Sequence, residues 1–502
     1  MPVDSTHPEY DEHLPDWEKM RDTVKGSCAI KKQATKYLPK LYDQQPEEYS
    51  KYILRAMFFG APARTLEAFQ GMLTRKAPKV EMPEKKSEFL IDCDLRNGSF
   101  ISHIQSILWQ LLNVARAGTL VDWNKDLACS YVTTYEAEDI INWDTKRIGG
   151  KMALSFVMLK EKSYEWNPLT GDEMPDAYSK PEYDQWRELR LVTTGAGGTL
   201  AAKVTYTVWR RMKDSKEKDS FVKIEEGELT RRGTPLDFIP FVFHGLGTDP
   251  IDPEKPIALD LAEVAIAQYR NSADYENGLH IAGLPTPWAA GFTDDTKTTL
   301  TLGVANAWVS PDVNAKCGFL EFTGQGLGAL KDAIKEKSEL MAALGARILD
   351  APTNAAEATE TVRLRQTSES NVLTDLAASA EQTLSQVLRI AVWWKETTEK
   401  PNDLRDKVFV AINKDLLGSK LAPAQLTALL QAVQSNAMSF DAFFWNMQQG
   451  NMYPDGHDLE AEKTAIEQNP PPPPLPVDPN ANPPPGDNPD KKKPAKKPAA
   501  GA

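Results

Sequence analysis

The side chains that could do chemistry in this sequence are six histidines, four cysteines and several paired carboxylates. Cys28, Cys93, Cys129 and Cys317 lie far apart, without the close Cys or His pairs that a zinc site uses. The histidines form no HExxH motif. We therefore expect no metal centre, and four reduced, mostly buried thiols of the kind found in cytosolic proteins.

Phosphate binding and acid–base catalysis have equally little support. No GxxxxGK[ST] motif occurs, and the glycine-rich run Gly324–Gly328 lacks the third glycine of the dinucleotide-binding pattern. The acidic pairs Asp294–Asp295 and Glu225–Glu226 lie in turn-like sequence, where solvated carboxylates are the simplest interpretation. His244 and His280 follow apolar segments, which favours packing or capping over metal ligation. The sequence therefore predicts neither an enzyme nor a bound cofactor.

The charge distribution argues against a tight, sequence-independent DNA binder. The net charge is −13, although residues 470–502 carry five lysines against three aspartates and thirteen prolines. An acidic body argues against tight, sequence-independent binding to a phosphate backbone, but it does not exclude DNA that slides past without sticking. Met1 is followed by Pro2, Asp4 and Glu9, and no apolar run approaches the roughly 20 residues that span a bilayer. We expect a soluble intracellular protein without a leader or a membrane partner.

The first half of the chain predicts helices followed by a sheet. A helix is predicted to start after Ser99, a common N-cap residue, and to stop at Gly118. Its apolar residues repeat at spacings of three and four: Ile101, Ile104, Leu108, Leu111, Leu112 and Ala115. Between Thr119 and His244 the period becomes two, with five or six short strands rich in Val, Thr, Tyr and Trp. The predicted fold class is α+β with a mainly antiparallel sheet.

The second half predicts a helical hairpin followed by a very long helix. One helix starts at Pro256, a break follows at Leu284–Pro287, and a second helix returns after residue 325. On the first helix, a polar stripe (Asp260, Glu263, Arg270, Asn271, Asp274) opposes an apolar one (Ala262, Ile266, Tyr269, Ala273, His280). After Asp350–Ala356, the long helix carries a stripe at Leu373, Leu376, Ala380, Leu384, Val387, Ala391 and Trp394. A helix over 422–449 and a disordered Pro/Lys-rich tail complete the chain.

Three stretches of the sequence resemble bacteriophage portal proteins, the head-to-tail connectors, of the group found in short-tailed and related phages. They are YSKYILRAMFFGAPARTLEAFQGMLTRKAPKV, PIALDLAEVAIAQYRNSADYENGLHIAGLPTPW and ETVRLRQTSESNVLTDLAASAEQTLSQVLRIAVWW. The resemblance extends over about residues 35–455 and contains no active-site motif.

The resemblance implies a portal-like architecture with defined segments. Residues 1–255 and 359–420 would form the wing, 256–284 and 326–349 the two stem helices, and 285–325 a small mixed clip. The tunnel loop would be 350–358, the crown 421–467 and the disordered tail 468–502. The implied assembly is a ring of twelve copies at one capsid vertex of the virion, assembled in the host cytoplasm. Its implied partners are the terminase large subunit, head–tail adaptors, the major capsid protein and double-stranded DNA in the channel.

The resemblance also assigns candidate site residues. The channel would present Thr353, Asn354 and Glu357 of the tunnel loop with Lys331 and Lys335 of the second stem helix. The clip would dock partners through Trp288, Phe292, Trp308 and Phe319, and subunits would meet at Ile334 and Leu344. The clip aromatics could equally form the clip's own core or an intersubunit contact, and the tunnel loop could be an ordinary turn. The alternative function is an intracellular self-assembling scaffold or adaptor whose proline-rich tail binds a partner.

Overall fold

A computed structural model of the chain describes residues 2–83, 88–148, 150–170, 181–194, 201–211, 221–247, 249–283, 286–291, 308–310, 312–320, 325–345, 359–414, 429–433 and 437–449, with a few isolated positions beside these ranges. The chain divides into two compact units, Met1–Leu417 and Gly418–Ala502.

The N-terminal part is helical: α1 Pro8–Lys25, α2 Ser27–Lys32, α3 Pro46–Arg55, α4 Ala61–Leu73, α5 Glu88–Ile91 and α6 Phe100–Val114. Ser99 caps α6 as predicted, with its hydroxyl accepting from Ser102 N at 3.1 Å. The predicted stop at Gly118 is wrong, because Ala115 adopts the left-handed conformation and ends the helix. Within the predicted α6 stripe, Ile101 is 40% exposed and the other five residues are buried.

The strands are β1 Lys79–Glu81, β2 Arg116–Asn124, β3 Cys129–Glu136, β4 Ile140–Ile148, β5 Lys151–Ser163, β6 Tyr183–Thr194, β7 Ala201–Arg211, β8 Phe221–Glu228, β9 Thr230–Arg231, β10 Thr234–Pro235, β11 Phe241–Gly245, β12 Thr286–Ala290, β13 Lys316–Leu320 and β14 Phe409–Ala411. The larger sheets run β4-β5-β6-β7-β8 and β11-β2-β3. The described strand pairs are antiparallel, so the predicted α+β class is confirmed.

Three helices follow the sheets: α7 Leu259–Gly283, α8 Gln325–Ala343 and α9 Thr359–Trp393. The predicted apolar stripe of α9, from Leu373 to Trp394, is buried at every position. The helix is joined to β14 by hydrogen bonds, with Val410 N donating to Ser385 Oγ at 2.9 Å and Ile412 N to Glu381 Oε1 at 2.7 Å. The core of the first unit therefore lies between α9, α6 and the β11-β2-β3 sheet.

The four cysteines are free thiols, but the expectation that most are buried is wrong. Cys93 is buried, Cys129 is half-buried, and Cys28 and Cys317 are exposed. Cys28 lies on the short helix α2, and Cys317 lies on the β12–β13 pair, which has two strands. Cys28 is two residues from the buried Ile30 and so lies on the opposite face of α2, and the two-stranded ribbon leaves Cys317 uncovered.

The second unit contains α10, Phe440–Gln449. Ser439 precedes the helix and its hydroxyl accepts from Ala442 N at 3.2 Å. The ring of Phe440 lies 6.2 Å from that of Phe443 and 6.5 Å from that of Phe444. This helix falls within the segment that the sequence predicts to be helical, residues 422–449.

Candidate functional site

The α7–α8 hairpin has few buried side chains apart from those that pack against the rest of the first unit. The buried residues of α7 end at Ala273, and residues 274–283 are half-buried or exposed. Among the described side chains of α8, from residue 326 to 343, Met341 is the one that is buried. This helix of 19 residues therefore buries few side chains within a single chain.

The first 55 residues of the chain contact the polar stripe of α7, although Asp260, Glu263 and Arg270 remain exposed. Tyr52 Oη donates to Asp274 Oδ1 at 2.5 Å, and burial together with this carboxylate raises the pKa of Tyr52 above its ordinary value. The other contacts are Lys19 Nζ to Glu263 Oε1 at 2.9 Å, Arg270 Nε to Tyr37 O at 2.8 Å and Arg55 Nη1 to Asn277 Oδ1 at 3.3 Å. The direction of α7 is therefore fixed by the first 55 residues. Sequence periodicity alone did not identify these partners.

The predicted apolar stripe of α7 is buried from Ala262 to Ala273, whereas His280 is exposed. On its other side α7 contacts α8, where Gln268 Nε2 donates to Ser338 Oγ at 2.6 Å and to Ile334 O at 3.2 Å. A Cβ at Gly278 would lie 2.6 Å from Leu327 Cδ2, so the glycine allows the helices to approach closely. These contacts pack α7 directly against α8.

The proposed subunit-contact residues occupy different positions on α8. Ile334 is half-buried, on the face of α8 whose backbone accepts a hydrogen bond from Gln268. Leu344 lies just beyond the helix and is 41% exposed, and Leu340 is 47% exposed. The exposed leucines, rather than Ile334, are therefore free to meet another chain.

The proposed channel lysines lie on α8 and are exposed. Lys335 Nζ is 3.8 Å from Glu339 Oε1, in a pair so exposed that it contributes well under about 1 kcal/mol. Asp332 and Glu336 are exposed on the same helix, so α8 carries both signs of charge. The tunnel-loop residues Thr353, Asn354 and Glu357 lie outside the described residues.

The segment predicted to be a clip contains a β12–β13 ribbon, which separates two of the predicted docking residues. Trp288 pairs with Gly318 and Pro287 pairs with Phe319, so Trp288 and Phe319 point to opposite faces. Trp288 is 42% exposed and Phe319 is 55% exposed. A Cβ at Gly318 would lie 3.2 Å from Trp288 Nε1, which indicates that the indole lies across the glycine. Trp308 is half-buried, and Phe292 lies outside the described residues.

A cleft of about 450 Å³ lies elsewhere, between α5, the β2–β3 turn and the end of α9. It contains Cys129 with Lys395, and burial raises the pKa of this thiol, which disfavours the nucleophilic thiolate. Histidine is absent from the described residues that line it. Within the described ranges, no three His, Cys, Asp or Glu side chains are grouped so that they could hold a metal ion. None of the helices described there has the length and apolar character needed to cross a membrane.

A family model described as a domain of unknown function, DUF4055, matches residues 257–395, which contain α7, α8 and α9. No curated protein matches the sequence. Among solved structures, the chain is similar to a chain in the neck of an empty gene transfer agent (GTA) particle computed with C6 symmetry. That similarity has 11% identity and a TM-score of 0.35, and covers 76% of this chain and 86% of the other. A chain in the virion of a native GTA particle is similar at 11% identity and TM-score 0.35, with 83% and 96% covered.

Proposed function

We propose that the protein is a phage portal protein, which forms a ring at one capsid vertex for DNA packaging and ejection. The observation that carries the proposal is the α7–α8 hairpin, which extends beyond the packed body with few buried side chains on α8. In a ring, each copy would cover the hairpin of its neighbour, which supplies the missing burial. The role is mechanical, so the protein is not an enzyme.

The channel would present α8 and the tunnel loop to the DNA. Lys331 and Lys335 would give weak contacts to phosphates, and the acidic body would prevent tight binding. Thr353 and Asn354 would offer neutral hydrogen bonds, while Glu357 adds repulsion. DNA can then slide, because no site holds it strongly.

The clip would dock the terminase large subunit during packaging and head–tail adaptors afterwards, while the wing meets the major capsid protein. Exposed aromatic side chains are typical of energetically important interface positions. Trp288 and Phe319 fit this role from two faces of the ribbon. Phe292 and Trp308 complete the proposed docking set.

Mass measurement and negative-stain imaging of the purified full chain test this function. We expect rings with a central hole and a mass twelve times that of the 55.8 kDa chain. The double variant Ile334→Asp/Leu344→Asp is expected to abolish them, because Ile334 lies at the α7–α8 contact that holds the hairpin together and Leu344 is exposed beyond α8. A wild-type protein that remains a dimer at all concentrations would instead favour the scaffold or adaptor function.

A further inference from the structure

Helix α3 lies beside the α7–α8 hairpin, so that α3, α7 and α8 form a row of three helices. Gln268, which contacts α8, and Asn277, which contacts α3, are nine residues apart on α7. At about 100° per residue, this spacing places them on opposite faces of the helix. The order across the row is therefore α3, α7, α8, and the two outer flanks of the row are chemically different surfaces.

The α3 flank is the outer surface of α3 with the loop before it and the end of α7. It contains a hollow of about 440 Å³ lined by Leu41, Tyr42, Lys51, Arg55 and Ile281, among others. Tyr42 and Ile281, which line the hollow, are 95% and 52% exposed, and Leu54, which precedes Arg55 on α3 outside the lining, is 73% exposed. Large apolar side chains grouped in this way around a hollow are typical of a contact surface.

The α8 flank is the face of α8 that points away from α7. Because Ile334 and Ser338 face Gln268, residues two positions further along point roughly the opposite way. Asp332, Glu336 and Leu340 form this outward stripe, and all three are exposed. Leu340 supplies the apolar contact and the two carboxylates supply negative charge.

We infer that the α8 flank of one copy seats on the α3 flank of the next copy. This inference rests on the proposed ring and specifies which surfaces form it. Two different surfaces on opposite sides of one row produce head-to-tail contacts, which close into a ring when the rotation permits. The occupant of the α3 flank is thus a second copy of this chain.

Charge complementarity supports this occupant. Chains with a net charge of −13 repel one another unless opposite charges meet at the contact. Asp332 and Glu336 on the α8 flank can meet Lys51 and Arg55 in the hollow. Asp43 and Glu48 also line the hollow, which therefore carries both signs of charge.

Two single substitutions on exposed leucines test the pairing. Leu54→Asp places a charge on the α3 flank, and Leu340→Asp places one on the α8 flank. Each is expected to weaken the subunit contact about tenfold or more, because the new carboxylate would be buried in the contact. The control is Leu127→Asp, which changes a leucine that is 65% exposed on the β2–β3 turn. Mass photometry of the full-length chains should show rings for the wild type and the control but not for either variant.

Mixing the two variants distinguishes head-to-tail from symmetric contact. Each variant retains one intact flank, so the mixture should form a dimer that grows no further, while each variant alone stays monomeric. In addition, Lys51→Glu should weaken assembly and Asp332→Lys in the same chain should restore it. If both leucine variants still form rings like those of the wild type, this inference is overturned and the proposed function stands. A monomeric wild type at all concentrations would overturn both.

Discussion

His244 on β11 donates from Nδ1 to Thr383 Oγ1 on α9, with 2.8 Å between the two atoms. The direction follows because the Thr383 hydroxyl donates to the backbone of its own helix, to Ser379 O at 3.2 Å. Thr119 therefore donates to His244 Nε2 at 2.8 Å and accepts from His103 Nε2 at 3.3 Å. This chain of hydrogen bonds joins α6, β2, β11 and α9 and is complete with both imidazoles neutral.

Acidification is expected to destabilise the fold through these histidines. Burial lowers the pKa of His244 to about 3 and that of His103 to about 4. The unfolded chain binds these protons near pH 6.5, so the stabilisation is complete above that pH and is lost as the pH falls toward 4. Each histidine should contribute a loss of about 1.4 kcal/mol per pH unit in this window. Urea unfolding between pH 7.5 and 5 measures the slope.

Asp139 acts against this slope, because burial and the neighbouring Glu136 and Glu138 raise its pKa to about 6. The histidine contribution is therefore isolated with His244→Gln, which should be less stable at pH 7.5 but show a shallower loss on acidification. His280→Gln, at an exposed position, is the control and should retain the wild-type slope. An unchanged slope in His244→Gln would contradict the assignment.

Replacing Gly118 by alanine is expected to destabilise the core by about 3 kcal/mol, near the upper end of overpacking costs. A Cβ there would overlap the ring of Phe241 and lie 2.9 Å from Ile140 Cδ1. Gly71 is the matched control, since it lies inside α4, is exposed and has nothing within 4 Å of a built Cβ. Gly71→Ala should stabilise by about 0.5–1 kcal/mol, because alanine loses less backbone entropy in a helix. Thermal unfolding compares the two variants.

Loss of the Glu161 carboxylate should lower the free energy of unfolding by about 3 kcal/mol. Its Oε1 accepts from Arg187 Nε and from Tyr135 Oη, both at 2.6 Å, and its Oε2 accepts from Gln185 Nε2 at 2.7 Å. Burial acts to raise the pKa of Glu161, but these donors outweigh it and hold the pKa below its usual value. Glu161→Ala leaves Arg187 without this partner, whereas Glu226→Ala breaks an exposed pair with Lys223 and should cost under about 1 kcal/mol. Equal effects in denaturant titrations would argue against the difference in environment.

Substituting Trp288 should weaken docking of the terminase large subunit or an adaptor without affecting rings. The indole is partly exposed and lies over Gly318, so Trp288→Ala removes contact area from one face of the ribbon. Phe319→Ala removes it from the other face and shows which one is used. Binding of purified partner to immobilised rings is the measurement. Unchanged binding in both variants would favour an intersubunit or internal role for these aromatics.

Deleting Thr353–Ala356 is expected to leave ring assembly intact while impairing DNA packaging or retention. The segment combines small residues with Asn354 and is proposed to set the narrowest point of the channel. Particle counts by electron microscopy and the length of packaged DNA measure the two steps separately. Normal genome length and infectivity in the deletion would remove the loop from the mechanism.

Periodicity in the sequence predicted α6, α7, α8 and α9 and most of their buried faces, but it did not predict α1, and it placed the exposed Ile101 and His280 on apolar stripes. The α9 stripe from Leu373 to Trp394 and the α7 stripe from Ala262 to Ala273 are buried as predicted, because a helix repeats every 3.6 residues whatever it packs against. The antiparallel sheet was likewise predicted from alternation and turns. Strand β2 was missed, since its first six residues are buried on both faces and show no alternation.

The partners of polar residues were decided by tertiary structure. The sequence showed that Glu263, Arg270 and Asp274 share a face of α7, but chain segments more than 200 residues away bind that face through Lys19, Tyr37 and Tyr52. Similarly, Trp288 and Phe319 formed one aromatic set in the sequence, and strand register placed them on opposite faces. Spacing along a chain determines which side chains share a face of one element. Which distant segment meets that face depends on how all the elements pack together.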